Sequence, residues 1–174
     1  MRAMWRRISL TLGLAGLVLV LDQTSKNWAQ SELPRLGRNG ITVVAGCFNL
    51  AYAENRNAAF GILEAMPYES RRMVLTGFAV AAIVVLVVLL FTNRIQRSWT
   101  AAATGLILGG AIGNVIDRAR LGFVVDFIVW HIGEKFYWPT FNVADSGIVV
   151  GVFILLWGSY WVDRRMMATR SARA

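Results

Sequence analysis

The sequence contains little of what most proteins use for disulfide bonds or metal binding. It has one cysteine, Cys47, and one histidine, His131. A single cysteine cannot form an internal disulfide, and one histidine with one cysteine leaves no zinc site of the usual His and Cys kind. We therefore expect chemistry that needs no metal and no other cofactor.

Charged residues are also scarce. They make up 16% of the chain, whereas hydrophobic residues make up 56%, against roughly 25% and roughly 45 to 50% in soluble proteins. The net charge of +8 does not indicate nucleic-acid binding, because the basic residues gather in short segments between apolar runs. The composition predicts a single integral membrane domain over residues 1–174.

Four apolar segments reach or approach the roughly 20 residues that cross a bilayer as a helix. They are residues 8–21, 73–91, 99–116 and 143–161, of which only the second and fourth are unambiguous. The first also resembles a signal peptide, but no small-x-small cleavage site follows, so we expect it to remain as a span. The third is rich in glycine and alanine, which predicts close helix packing rather than lipid exposure.

The basic residues predict the orientation of these spans. Lysine and arginine are denser in residues 1–7, 93–98 and 162–174 than in the connections 27–72 and 118–142. We therefore expect both termini in the cytoplasm and the two long connections on the opposite, outer side of the membrane.

The long connections contain runs of β-branched and aromatic residues that predict short strands. The runs are "ITVVAGCFNLAYAEN", "GFVVDFIVW" and "KFYW", with "HIGE" as a turn. We expect a small sheet at the outer surface, with its apolar side on the lipid boundary. Residues 55–73 are expected to form a short amphipathic helix, either as a lid or resting on the headgroups. The fold class is thus an all-α membrane protein with four transmembrane helices and a small β element.

Two aspartates stand in surroundings where a charge is costly. Asp126 lies within "GFVVDFIVW", and Asp145 stands at the start of the fourth span. Both are expected near one membrane face, where neighbouring carboxyl groups can share a proton and act as base and acid on a water molecule. Two structural alternatives stay open, in which Asp145 caps the fourth helix and Asp126 pairs with Arg118 or Arg120.

Five stretches, in order along nearly the whole chain, resemble motifs of the bacterial lipoprotein signal peptidases, the signal peptidase II family. They are "DQTSK" from Asp22, "NRNAAFG" from Asn55, "GGAIGNVIDR" from Gly109, "VVDF" from Val124 and "FNVAD" from Phe141. One departure is Asn57, where the family pattern has glycine. Asparagine tolerates left-handed backbone angles, so we expect the turn to survive.

The resemblance implies an aspartic endopeptidase of the bacterial inner membrane that removes the signal peptide from prolipoproteins. Its sheet and active site would lie at the periplasmic face. The cut would fall just before a cysteine that carries a diacylglyceryl group. By matching position, the resemblance assigns catalysis to Asp126 and Asp145, and support of the site to Asn55, Asn114, Arg118, Asn142, Asp22 and Lys26. The implied partners are this substrate and membrane lipids, without nucleic acid, and we expect a monomer.

Some of these residues have a plainer interpretation. Asp22 and Lys26 lie at i and i+4, and a structural ion pair is our preferred interpretation. Arg118 is expected at the site, ahead of the alternative of an interfacial anchor, although Asp117 beside it could take part of its charge. The glycines at 109, 110 and 113 are expected to serve close packing.

Two functions of other classes also stay open. A transporter or proton-coupled channel would place ionisable residues within spans, but near the bilayer midplane and beside broken helices. A noncatalytic assembly subunit would use the small-residue face of the third span as its interface. Neither explains two carboxylates at one edge of the spans, so peptidase is the expected function.

Overall fold

The computed structural model describes residues 2–37, 40–56, 65–92, 95 and 97–171, the last ten of these by their backbone alone. Within this part of the chain the helices are α1 (Arg2–Glu32), α2 (Tyr68–Phe91), α3 (Ser98–Arg120) and α4 (Val143–Ser171). The strands are β1 (Ile41–Val44), β2 (Phe48–Asn55), β3 (Val124–Ile132) and β4 (Phe136–Tyr137). A short 3₁₀ helix, Leu33–Leu36, follows α1.

Each predicted span lies within one helix. All four helices are long and apolar enough to cross a membrane, which confirms the predicted set of spans. The first helix is much longer than its apolar run, because "DQTSKNWAQSE" continues it to Glu32. Asp22 and Lys26 are buried in this extension, where partners on α4 and α3, respectively, replace water.

Helix α3 is the centre of the helical bundle, with α1 and α4 packed along it. Its small residues permit this close approach. A Cβ on Gly109 would lie 2.5 Å from the carbonyl oxygen of Ala15 in α1, and a Cβ on Gly110 would collide with the carbonyl oxygen of Ala144 in α4. The prediction that these glycines serve helix packing is confirmed.

The strands form one antiparallel sheet in the order β1-β2-β3-β4, which confirms the predicted β element. The turn is shifted from the predicted "HIGE". His131 and Ile132 still belong to β3, where they pair with Tyr137 and Phe136, so the turn lies at residues 133–135. The left-handed backbone of Gly133, with φ of 54°, makes this tight reversal accessible.

A small apolar cluster fixes the sheet against the end of α1. Phe127 of β3 packs with Ala29 and Leu33, and all three are buried. This contact places Asp126 beside the ends of α1 and α3 and the start of α4. Asn57 and residues 57–64 of the expected amphipathic helix lie outside the described residues.

Candidate active site

Asp126 lies on β3 and is completely buried. Its Oδ2 accepts a hydrogen bond from the side-chain amide of Asn55 at 2.9 Å, and its Oδ1 accepts one from Asn142 at 2.7 Å. Burial, and then the nearby charge of Asp145, raise the pKa of Asp126 to about 7, although the two amide hydrogen bonds and the charge of Lys26 oppose this change. Both protonation states of Asp126 are therefore accessible near neutral pH.

Asp145 lies in the first turn of α4. Its Oδ1 accepts a hydrogen bond from the Asn114 side chain at 2.8 Å, and its Oδ2 accepts one from the backbone N–H of Asn142 at 3.3 Å. In return, the Asn142 side-chain oxygen accepts the backbone N–H of Asp145 at 2.9 Å. This reciprocal pair is a capping box, so Asp145 does stabilise the start of α4.

Asn142 joins the two aspartates, since its side chain contacts Asp126 and its backbone contacts Asp145. The carboxyl groups therefore face one site instead of lying on opposite flanks of the bundle. The expectation that they lie near each other agrees with the electrostatic interaction between them.

The alternative in which Asp126 pairs with Arg118 or Arg120 is wrong. Among the described residues, no ion pair involves either aspartate of the site. Arg118 instead donates to the backbone oxygen of Asn114 at 3.4 Å, from a partly buried position where its charge acts on both Asp126 and Asp145. Arg120 is exposed.

Lys26 is the centre of a second buried cluster, next to the aspartates. Its ammonium lies 2.9 Å from Asp22 and 3.0 Å from Asp117, and it donates to Oδ1 of Asn114 at 2.9 Å. The expected ion pair between Asp22 and Lys26 is therefore present, but it is only one of three contacts. Asp22 also accepts the backbone N–H of Ala144 at 2.9 Å, which connects α1 to the start of α4.

The charge of Asp117 does act on Arg118, as expected, but the contacts of the Asp117 carboxylate lie elsewhere. Asp117 pairs with Lys26 and accepts the backbone N–H of Val125 at 3.1 Å, directly before Asp126. Consecutive helical residues point about 100° apart, so Asp117 faces α1 and β3. Gln23 donates to Asp117 at 3.0 Å. The sequence reasoning missed both of these roles.

The model of the family described as signal peptidase (SPase) II matches residues 14–161. The chain belongs to the signal peptidase II family. It is 43% identical over 147 residues to the lipoprotein signal peptidase of Oleidesulfovibrio alaskensis, covering 84% of this chain and 92% of that protein. It is 37% identical over 153 residues to that of Syntrophus aciditrophicus, covering 88% of this chain and 93% of that protein.

Solved structures share the fold. A bacterial membrane enzyme determined by the in meso method at 2.3 Å resolution has a TM-score of 0.74 and 27% identity, with 88% of each chain covered. Membership of the signal peptidase II family makes the chain a membrane protease. The side chains that converge around Asp126 and Asp145 are the candidates for its catalytic groups.

All eight site residues predicted from the sequence converge in this peptidase. Asn55, Asn114 and Asn142 each donate to one of the aspartates. Lys26 donates to the side chain of Asn114 and pairs with Asp22. Arg118 contacts the backbone of Asn114. Asp117 could have been found from its i, i+3 spacing from Asn114, which places both residues on one helix face, and from its position in the motif "GGAIGNVIDR".

Proposed function

We propose that this peptidase removes the signal peptide from prolipoproteins whose cysteine carries a diacylglyceryl group, with Asp126 and Asp145 as a catalytic pair. The observation that supports the proposal most directly is the geometry around Asn142, which hydrogen-bonds both buried carboxyl groups. Side chains from all of the surrounding elements hold these groups in place, as expected of a preorganised site.

In the proposed mechanism the pair carries one proton between its two members. The ionised carboxylate accepts a proton from water, and the water attacks the carbonyl carbon of the bond before the lipid-modified cysteine. The protonated carboxyl group donates to the carbonyl oxygen. As the intermediate collapses, the carboxyl group that took the proton from water returns it to the departing amine and the C–N bond breaks. The other, now ionised, carboxylate takes a proton from a hydroxyl group of the intermediate, so the pair again holds one proton. No covalent intermediate with the enzyme is formed.

The position of the pair suits a substrate held in the bilayer. Asp126 and Asp145 lie where α1 and α3 end and α4 begins, which is one end of the predicted spans. A peptide anchored by a diacylglyceryl group reaches the site laterally from the lipid. We place this end at the periplasmic face, with both termini in the cytoplasm and the peptidase acting as a monomer in the inner membrane.

The transporter alternative has less support. It would require carboxylates near the middle of the spans and beside broken helices, whereas Asp126 lies outside the four helices and Asp145 lies in the first turn of α4. The assembly-subunit alternative uses the small-residue face of α3, but this face is already packed against α1 and α4.

A paired assay tests the proposal. Purified enzyme in lipid vesicles is given a lipobox peptide with or without the diacylglyceryl group, and proton flux is measured in the same vesicles. We expect cleavage before the lipidated cysteine, little cleavage of the unlipidated peptide, and no flux. Proton flux without cleavage would instead support the transporter, and neither activity would support the assembly subunit.

A further inference from the structure

Lys26 is a buried cation surrounded by three hydrogen-bond acceptors. Its Nζ lies 2.9 Å from Asp22, 3.0 Å from Asp117 and 2.9 Å from Oδ1 of Asn114. An ammonium group has three donors and no acceptor, so these partners satisfy it completely. The two ion pairs explain why the cation is buried. The third contact, with an uncharged amide, leads towards the aspartate pair.

The contact between Lys26 and Asn114 determines which way the amide of Asn114 points. Because the ammonium can only donate, it requires the carbonyl oxygen of the amide, and the NH₂ group must then face away. That NH₂ group donates to Oδ1 of Asp145 at 2.8 Å. A reversed amide would direct its oxygen at the carboxylate and its NH₂ group at the ammonium, and both contacts would be repulsive.

The same hydrogen-bond direction continues to Asp126 through Asn142. The Asn142 NH₂ group donates to Oδ1 of Asn114 at 3.4 Å and to Oδ1 of Asp126 at 2.7 Å. Each aspartate of the pair therefore receives an amide N–H on its Oδ1. These amides hold the two carboxyl groups in place, together with the Asn55 side chain on Oδ2 of Asp126 and the Asn142 backbone N–H on Oδ2 of Asp145.

We propose that Lys26 is a positioning residue that fixes the direction of the Asn114 amide, so that Asn114 donates an N–H to Asp145 and accepts the Asn142 amide that also donates to Asp126. The inference rests on the proposed function of the aspartate pair. Lys26 does not touch the substrate and acts through Asn114. Its effect differs from that of the Arg118 charge, because it depends on the direction of hydrogen bonds.

The double substitution Lys26→Met with Asp117→Asn tests the inference. Lys26→Met alone would leave two buried carboxylates without a cation, whereas the double variant leaves the net charge of the cluster unchanged because it removes one charge of each sign. Removing a residue that hydrogen-bonds and orients a functional group typically lowers activity roughly 10- to 100-fold. We expect a loss of that size in kcat. The KM for the lipidated peptide should stay within about twofold, since no substrate contact is altered.

Gln23→Leu is the matched control. Gln23 donates to Asp22 at 3.2 Å and to Asp117 at 3.0 Å, so the substitution disturbs the same carboxylates without removing the donor to Asn114. We expect its kcat to stay within about twofold of the parent. Parental kcat in the double variant, or an equal loss in Gln23→Leu, would overturn the inference.

Lys26→Arg provides a second variant in case the double variant does not fold. A guanidinium group is also a donor without an acceptor, so the direction of the amides is retained. If the double variant folds, we expect the kcat of Lys26→Arg to be at least about tenfold higher than that of the double variant. If the double variant does not fold, we expect the kcat of Lys26→Arg to lie within about tenfold of the parent value. A folded but inactive Lys26→Arg enzyme would overturn the inference. A parent enzyme that does not cleave the lipidated peptide would instead reject the proposed function itself.

Discussion

Asn142 and Asp145 hydrogen-bond each other in both directions at the start of α4. The Asn142 side chain accepts the backbone N–H of Asp145 at 2.9 Å, and the Asp145 carboxylate accepts the backbone N–H of Asn142 at 3.3 Å. The structural and functional interpretations of Asp145 are therefore compatible. The same capping box that stabilises the helix also holds the carboxyl group next to Asn114 and Asn142.

Substitutions of Asn142 should separate the stability of α4 from catalysis. Asn142→Ala removes the cap, which typically lowers the free energy of unfolding by about 0.5 to 2 kcal/mol, and it also removes the donor to Asp126. Asn142→Ser keeps a capping oxygen but lacks the NH₂ group. We expect thermal unfolding to show the serine variant close to the parent and the alanine variant less stable, with both losing peptidase activity. A fully active serine variant would show that the amide has no role at the site.

Gly113→Ala should disturb the site through packing. The added Cβ would lie 2.5 Å from Oδ2 of Asp22, and overpacking typically lowers the free energy of unfolding by about 1 to 3 kcal/mol. Gly77→Ala in α2 is the matched control, because nothing lies within 4 Å of the new Cβ and alanine favours helices. We expect thermal unfolding to show a destabilised Gly113→Ala and an unchanged or more stable Gly77→Ala. Equal stability of the two variants would contradict the close packing around Asp22.

The pH dependence of the enzyme should reflect Asp126. Its pKa is raised from 3.8 to about 7 in the folded protein, so the folded state binds the proton more tightly than the unfolded state. The contribution of Asp126 to stability is therefore fully present below pH 3.8 and is lost as the pH rises through about 7. Because catalysis needs the shared proton, kcat/KM should also fall as the pH rises through about 7.

Infrared titration of the protonated carboxyl band checks this assignment independently of activity. Asp145→Asn removes a charge that raises the pKa of Asp126, so the band should disappear at a lower pH than in the parent. A kcat/KM profile that stays flat from about pH 6 to about pH 9 would show that no proton of the pair is needed.

The single cysteine offers a test of orientation. Cys47 is exposed and lies between β1 and β2, on the side proposed to be periplasmic. A membrane-impermeant maleimide should label Cys47 in intact spheroplasts. In the Cys47→Ser, Ser98→Cys control, the new cysteine lies at the opposite end of α3 and should react only after permeabilisation. The reverse pattern of labelling would place the active site in the cytoplasm.

The spans and strands could be predicted because their signals are local. Apolar runs identified the helices, and β-branched and aromatic runs identified the strands. The position of the β3–β4 turn was wrong by two residues, since the pairing of His131 with Tyr137 and of Ile132 with Phe136 depends on sheet register. Strand composition contains no information about such register.

The residues of the site were predicted from the sequence, but most of the contacts between them were not. The order of the motifs indicated Asp126, Asp145 and their supporting residues. The contacts of Lys26 with α3 and the contacts of Asp117 were not predicted, because they depend on how α1 rotates against α3. That rotation is set by glycines such as Gly105 and Gly109, where the backbone of α1 approaches most closely.

The central claim is that Asp126 and Asp145 act as one catalytic unit. The most direct test measures kcat for Asp126→Asn, Asp145→Asn and the double variant in vesicles, with the exposed Glu69→Gln as control. General acid and base catalysis typically contributes about 10² to 10⁴-fold. We expect each single variant to insert, fold and lose at least that much, and the double variant to lose no more than either single variant. Parental activity in Asp126→Asn or Asp145→Asn, or losses that multiply in the double variant, would contradict the claim.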